Sequence, residues 1–226
     1  MVGMQLELDL AMALQPGAAE DAQRRDALYF AVLPDERTAR LIVERAAAWR
    51  AQYGFVGRLY TPDRLHVSLN ALGRHAGLPQ RLVARANAVG AGVAAPAFDV
   101  VLDRLVSFRN GTRRPLVLCC GEGAEGFNVL SRQIGLGLKC AGLPSGLAAG
   151  FTPHLTLLRD RRAIPDIALE SPIAWRAREF LLVHSLFGQS RHRHLGRWAL
   201  REPLAPAGTD GLDVRLAGPA TRGSKT

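Results

Sequence analysis

The sequence predicts an α+β fold built on largely antiparallel sheets, and three observations point to it. Short apolar or alternating segments suited to strands are interleaved with three longer stretches at helical spacing. Two strand-like tetrapeptides, His66-Val67-Ser68-Leu69 and His154-Leu155-Thr156-Leu157, repeat one pattern in the two halves of the chain, a weak internal repeat rather than a tandem array. With 226 residues, 48% of them hydrophobic, the chain suffices for one domain of about 180 to 200 residues plus tails, or two small lobes sharing a core.

Met1 to about Arg25 mixes apolar, acidic and small residues without a sustained period and reads as a poorly ordered extension. Glu7 and Asp9 interrupt its apolar stretch and no basic n-region accompanies it, so it does not read as a signal peptide. Asp26 to Leu33 is a buried strand stopped by Pro34, and Asp35 caps a helix reaching about Tyr53, with Leu41, Ile42, Arg45 and Trp49 on its periodic face. Arg58 to Tyr60 suggests a short strand, and Thr61-Pro62-Asp63 turns the chain into the first repeated strand, Leu65 to Leu72. A second helix fits Pro79 to about Val93. Strands follow at Phe98 to Leu105 and Leu116 to Cys120, then a third helix from about Glu125 to Ala141. Phe151-Thr152-Pro153 leads into the second repeated strand, His154 to Leu158; Ile173 to Arg176, Glu179 to Phe187 and Gly196 to Leu200 close the sheet. Beyond Pro203 the Gly, Ala, Pro and Thr content reads as a disordered tail, 204–226.

On a strand, residues i and i+2 share a face. Each tetrapeptide therefore shows an imidazole and a hydroxyl on one side and hides two apolar residues on the other. If the fold brings the strands together, two histidines can serve as general acid and general base while two hydroxyls donate to an anionic oxygen. That equipment suits the opening of a cyclic phosphate. Either tripeptide alone would more often mark a satisfied core histidine; two copies, each followed by Leu and each entered through a Pro-containing turn, carry the catalytic reading. Arg159, just past the second strand, can stabilise negative charge building on phosphorus. Phe151 offers a stacking face for a base or, equally, a core aromatic.

The net charge is +9, and nearly all the basic residues are arginine, Lys139 and Lys225 excepted. Guanidinium forks suit phosphate, and the balance favours anionic partners, although the same bias follows from a GC-rich genome. Cys119, Cys120 and Cys140 lack metal or redox spacing, which fits a reducing, cytoplasmic setting. No apolar run approaches the roughly 18 residues of a membrane span.

With the two tetrapeptides, Arg114-Pro115-Leu116-Val117-Leu118, Phe151 to Leu158, Glu179 to Leu186 and Leu195-Gly196-Arg197-Trp198 make the stretch from Asp26 to Leu200 resemble the two-histidine (2H) phosphoesterases, and within them the bacterial RNA 2',3'-cyclic phosphodiesterases, or 2'-5' RNA ligases. The resemblance implies a bilobal α+β fold, two mainly antiparallel sheets facing a central cleft with helices packed outside. It implies cofactor-free and metal-free hydrolysis of a 2',3'-cyclic phosphate to a 2'-phosphate, with His66 as proton donor, His154 as proton acceptor, and Ser68 and Thr156 on non-bridging oxygens. Partners would be RNA 2',3'-cyclic phosphate ends or cyclic nucleotides, met by a monomer with no membrane involvement. Ser68 stands where the family carries Thr, keeping the hydroxyl, and Ser190-Arg191-His192-Arg193-His194 is unusually basic where relatives carry a tyrosine.

Three rival readings are weighed against it. Gly121-Glu122-Gly123-Ala124-Glu125-Gly126 fits a G-x-G-x-x-G pattern, but no acidic residue lies between Glu125 and Asp160 to hold a ribose, so a strand-to-helix turn is expected there. His192-x-His194 lacks the cysteines or paired carboxylates that complete a metal set. The remaining alternative is a catalytically silent RNA- or nucleotide-binding module using the same cleft.

Overall fold

The computed structural model describes residues 25–108, 112–121, 123–145 and 151–202. The expected terminal extensions therefore lie, Arg25 aside, outside the described residues. Eight strands are β1 (Asp26–Val32), β2 (Val67–His75), β3 (Phe98–Ser107), β4 (Arg114–Cys119), β5 (His154–Asp160), β6 (Ile167–Ala177), β7 (Glu179–Leu186) and β8 (Arg191–Ala199); three helices are α1 (Glu36–Gln52), α2 (Gln80–Gly92) and α3 (Glu125–Cys140). All eight strands join one sheet in the order β6-β3-β4-β5-β2-β1-β7-β8, every neighbouring pair antiparallel. The two expected sheets are the two four-stranded arms of this sheet. They meet at β2 and β5, which are paired in register only at Val67 and Leu155.

Each repeated strand is reached from its antiparallel neighbour through a helix, β1–α1–β2 in one arm and β4–α3–β5 in the other. Asp35 starts α1 as expected, its carboxylate accepting from Thr38 N at 2.9 Å and Thr38 Oγ1 at 2.7 Å. The main core unites the arms: Phe30, Val67 and Leu182 from one, Leu102, Leu118 and Leu155 from the other, with Ile42, Phe127 and Ile134 from the helices. A second, small cluster of Tyr29, Ala31, Leu181 and Val183 occupies the opposite face of β1 and β7. Where α2 presses on β8, Gly90 is required by contact: a Cβ there would lie 2.5 Å from the Trp198 ring.

The sequence-based boundaries shift at the sheet edges. Arg58 to Tyr60 is not a strand; Tyr60 N makes a single bond to Leu157 O at 2.8 Å. The segment Ile173–Arg176 is the end of the longer β6, and β8 begins at Arg191, not Gly196. Both are edge strands, and both carry the exposed charged residues or Pro172 that protect an edge from pairing with another chain. Those residues erase the alternation on which strand assignment depends. His75 ends β2 half-buried, its Nε2 3.0 Å from Leu72 O.

Candidate active site

The repeated strands bury their residues as the two-residue period requires. Leu65, Val67 and Leu69 are buried while His66 and Ser68 are half-exposed, and in β5 Leu155 and Leu157 are buried while His154 and Thr156 are half-exposed. The Val67–Leu155 pair fixes how the two sets meet. In an antiparallel register, the neighbours of a pair cross over, so His66 stands on the same side as Thr156, and Ser68 as His154.

Both imidazoles are held in the same way. His66 Nδ1 lies 2.7 Å from Arg64 O, and His154 Nδ1 lies 2.9 Å from Thr152 O. A carbonyl only accepts, so Nδ1 carries hydrogen in each ring and Nε2 is the atom placed for proton transfer. Both strands are then bulged just past the tetrapeptide. Between Ser68 and Ala71 β2 carries one residue more than β1, and between Thr156 and Leu158 β5 carries one more than β4. Leu69–Asn70 and Leu157–Leu158 are consequently adjacent buried residues. The bulge resets the alternation, and in β5 it exposes Arg159, which lines a cavity of about 570 Å³ with Arg64.

Around the first imidazole the sheet is crowded. Tyr29 stacks on His66 with ring centroids 5.1 Å apart and planes 25° from parallel. His192, on β8, meets His66 edge-on at 5.1 Å, and its Nε2 is 3.4 Å from Tyr29 Oη. Burial lowers His66 to about 4 against the opposing bond to Arg64 O, with His154 and Arg64 adding positive charge nearby. His192 is lowered to about 3, by burial first and then by His66 and Arg64. Burial also raises the Tyr29 phenol, more than its bond with Ser185 lowers it. Without an anion, this corner holds neutral rings. Around the second imidazole, the contacting ring is Phe108, at 4.9 Å and 66° to His154.

Of the residues singled out from sequence, the structure brings His66, Ser68, His154 and Thr156 to one face and puts Arg159 at its side. Phe151 is half-buried against the main core. Sequence reasoning missed Tyr29, Phe108 and His192 as neighbours of the imidazoles. Tyr29 carried a faint signal, one aromatic between Ala27 and Ala31 on the same face of its strand. His192 stands out in the sequence as part of a basic segment and of a His-x-His pair, neither of which points to His66; among the described residues no group of three His, Cys, Asp or Glu is placed to hold a metal. The glycine-rich turn serves packing, since Gly121 N donates to Asp103 Oδ1 at 2.6 Å and a Cβ at Gly126 would lie 2.2 Å from Phe98. Burial pushes the thiols of Cys119 and Cys120 up to about 12 and about 11, which keeps them out of nucleophilic chemistry. No described helix is long and apolar enough to cross a membrane.

Comparison with known proteins gives a consistent picture. The family model described as the 2'-5' RNA ligase superfamily matches residues 33–187. The structure of E. coli LigT in apo form is similar over 79% of this chain and 99% of its own, with 28% identity and a TM-score of 0.57. E. coli LigT complexed with 3'-AMP is similar over 78% of this chain and 98% of its own, at 26% identity and a TM-score of 0.57. TT0787 of Thermus thermophilus shares the fold, at 23% identity and a TM-score of 0.61 over 78% of this chain and 98% of its own. A search of curated proteins by sequence found no match.

Proposed function

Because the chain belongs to the 2'-5' RNA ligase superfamily, we propose that its cleft hydrolyses 2',3'-cyclic phosphate ends of RNA or nucleotides to 2'-phosphates. The observation that carries this reading is the matched pair of imidazoles on adjoining strands, each with Nδ1 tied to a carbonyl two residues back.

In the reaction we assign, His154 Nε2 takes a proton from water as the water oxygen bonds to phosphorus. The P–O3' bond breaks, and the departing oxygen takes its proton from His66 Nε2. The products are a 2'-phosphomonoester and a 3'-hydroxyl. Ser68 and Thr156 hold the non-bridging oxygens, and Arg159 meets the charge that builds on them. Each proton transfer is worth roughly 10²–10⁴-fold in rate. A 5'-hydroxyl in place of the water would yield a 2'-5' linkage, so ligation uses the same groups.

His66 must carry a proton to act as donor, yet with its pKa lowered to about 4 it is neutral near pH 7 in the empty cleft. Binding of the anionic phosphate diester raises it, since a negative neighbour favours the charged ring. The acid is thereby charged by the arrival of its substrate. The three free cysteines fit a cytoplasmic setting.

Product analysis tests the reading. An RNA ending in a 2',3'-cyclic phosphate should give a 2'-phosphate in the presence of a chelator. A 3'-phosphate product, or binding without turnover as the silent-module alternative requires, would overturn it.

A further inference from the structure

We propose that a second phosphate-binding site adjoins the catalytic pair, formed by Arg58, Arg64, Arg113 and Arg161 in the cavity that Arg159 shares with the reacting phosphate, and that it takes the phosphate on the 5' side of the nucleotide being opened. The inference rests on the proposed hydrolysis and narrows its substrates to those carrying a second phosphate.

The five arginines line one cavity of about 570 Å³, a size that admits a phosphate with part of its nucleoside. They arrive from four places in the chain: the loop after α1, the turn before β2, the start of β4 and the end of β5. None is in an ion pair among the described residues, whereas Arg104, Arg176, Arg178 and Arg197 all are. Asp160 also lines the cavity, but its carboxylate is engaged elsewhere, accepting from Val56 N at 2.7 Å, Gly57 N at 2.6 Å and Arg162 N at 2.9 Å. Burial alone would raise Asp160; these backbone donors hold it below the usual carboxylate range. It fixes the wall of the cavity and supplies one negative charge against five guanidiniums, so positive charge stays in excess.

The wall is built rather than incidental. Gly57 approaches β5 so closely that a Cβ would lie 2.4 Å from Arg159 O, and Tyr60 N bonds to Leu157 O at the bulge. Arg64 lies over the Tyr60 ring at 4.2 Å, and its buried Nε has no hydrogen-bond partner. Ser190, which adds a hydroxyl to the lining, is held at φ 49°, the one non-glycine residue with positive φ among those described. Five arginines against one carboxylate around one cavity repel each other, and planar forks match phosphate oxygens in pairs.

Arg64 links this cavity to the reaction. Its carbonyl holds His66 and the residue also lines the cavity, so the proposed second site begins two positions along the chain from the catalytic imidazole. The phosphate 5' to a cyclic nucleotide is one ribose away from the reacting one. An internucleotide diester and a 5'-phosphomonoester both supply that charge.

The test compares kcat/KM for a nucleoside 2',3'-cyclic phosphate, its 5'-phosphorylated form, and a dinucleotide ending in a 2',3'-cyclic phosphate. The protein should prefer the second-phosphate substrates by about ten- to a hundredfold, as charge-assisted contacts imply, with a steeper salt dependence. Preference for both would mean that either phosphate serves; preference for the dinucleotide alone would assign the site to the internucleotide diester. In Arg113→Gln/Arg161→Gln the ratio should fall toward one. A wild-type ratio near one, or a ratio unchanged in that variant, would overturn the second site while leaving the proposed hydrolysis standing. Calorimetry with a nucleoside 2',5'-bisphosphate against the 2'-phosphate separates the opposite case. Tighter binding of the bisphosphate without turnover of any cyclic substrate would sink the hydrolysis and keep the site.

Discussion

The strand β2, with His66 directly before it, and the strand β5 carry the same four-residue pattern, the same tie from imidazole to carbonyl and a similar bulge, yet their surroundings diverge. On β2 the histidine is roofed by Tyr29 and flanked by His192, and the bulge is anchored by a buried amide: Asn70 Nδ2 donates to Ser145 O at 2.9 Å and Ser131 Oγ donates to Asn70 Oδ1 at 3.2 Å. On β5 the residue in the place of Asn70 is the apolar Leu158, and beyond it an exposed arginine stands where β2 has Ala71. The repeat therefore sets two imidazoles in equivalent geometry, and the unlike neighbours make them unequal. The β2 side is crowded by rings and favours them neutral, while the β5 side carries the exposed Arg159. One side is suited to gaining a proton only when an anion arrives, and the other to holding that anion.

Substitutions on the two strands should break this comparison unevenly. Arg159→Gln is expected to lower kcat for a cyclic phosphate by roughly 10²–10³-fold, the scale of losing one preorganised donor to a developing oxyanion, and steady-state kinetics would show it. Arg159→Lys should recover part of the loss, because the point charge returns without the fork. Thr156→Ala and Ser68→Ala should each cost about ten- to a hundredfold in kcat/KM, the worth of a hydrogen bond to a charged group, with Ser68→Thr close to wild type. Asn70→Ala should leave the Ser145 carbonyl and Ser131 hydroxyl without their partner and lower stability by about 1–3 kcal/mol in urea unfolding. A stability change within error there would mean that the β2 bulge needs no anchor.

The smallest effect concerns stability against pH. His66 and His192 are lowered from 6.5 to about 4 and about 3 in the folded protein. Above pH 6.5 neither state holds the extra protons. As pH falls below 6.5, the unfolded chain takes up protons that the folded one refuses, so stability is lost until the folded sites protonate. His192→Phe removes one of these two linked losses, and the urea midpoint should fall less between pH 7 and pH 4. An unchanged slope would place His192 in a more solvated position than the stacked corner describes.

What the sequence made legible follows from the range of the interactions involved. The imidazole–hydroxyl faces and the start of α1 are set by residues within a few positions of each other, so period and capping reveal them. The cluster of Tyr29 with His192 joins residues 163 positions apart, and only the path β1–β7–β8 makes them neighbours. The bulges were hidden for a different reason. Adjacent apolar residues such as Leu157 and Leu158 read as an ordinary buried run, although that doubled position is what exposes Arg159. The edge strands β6 and β8 escaped because charge and Pro172 mask their alternation.

The central claim is that both strands deliver a proton-transferring imidazole to one phosphate. His66→Ala and His154→Ala, each purified and checked for wild-type circular dichroism and unfolding midpoint, should be assayed on an RNA ending in a 2',3'-cyclic phosphate. Each variant is expected to lose at least about 10²-fold in kcat while staying folded. A folded variant of either histidine that keeps the wild-type rate would contradict the account.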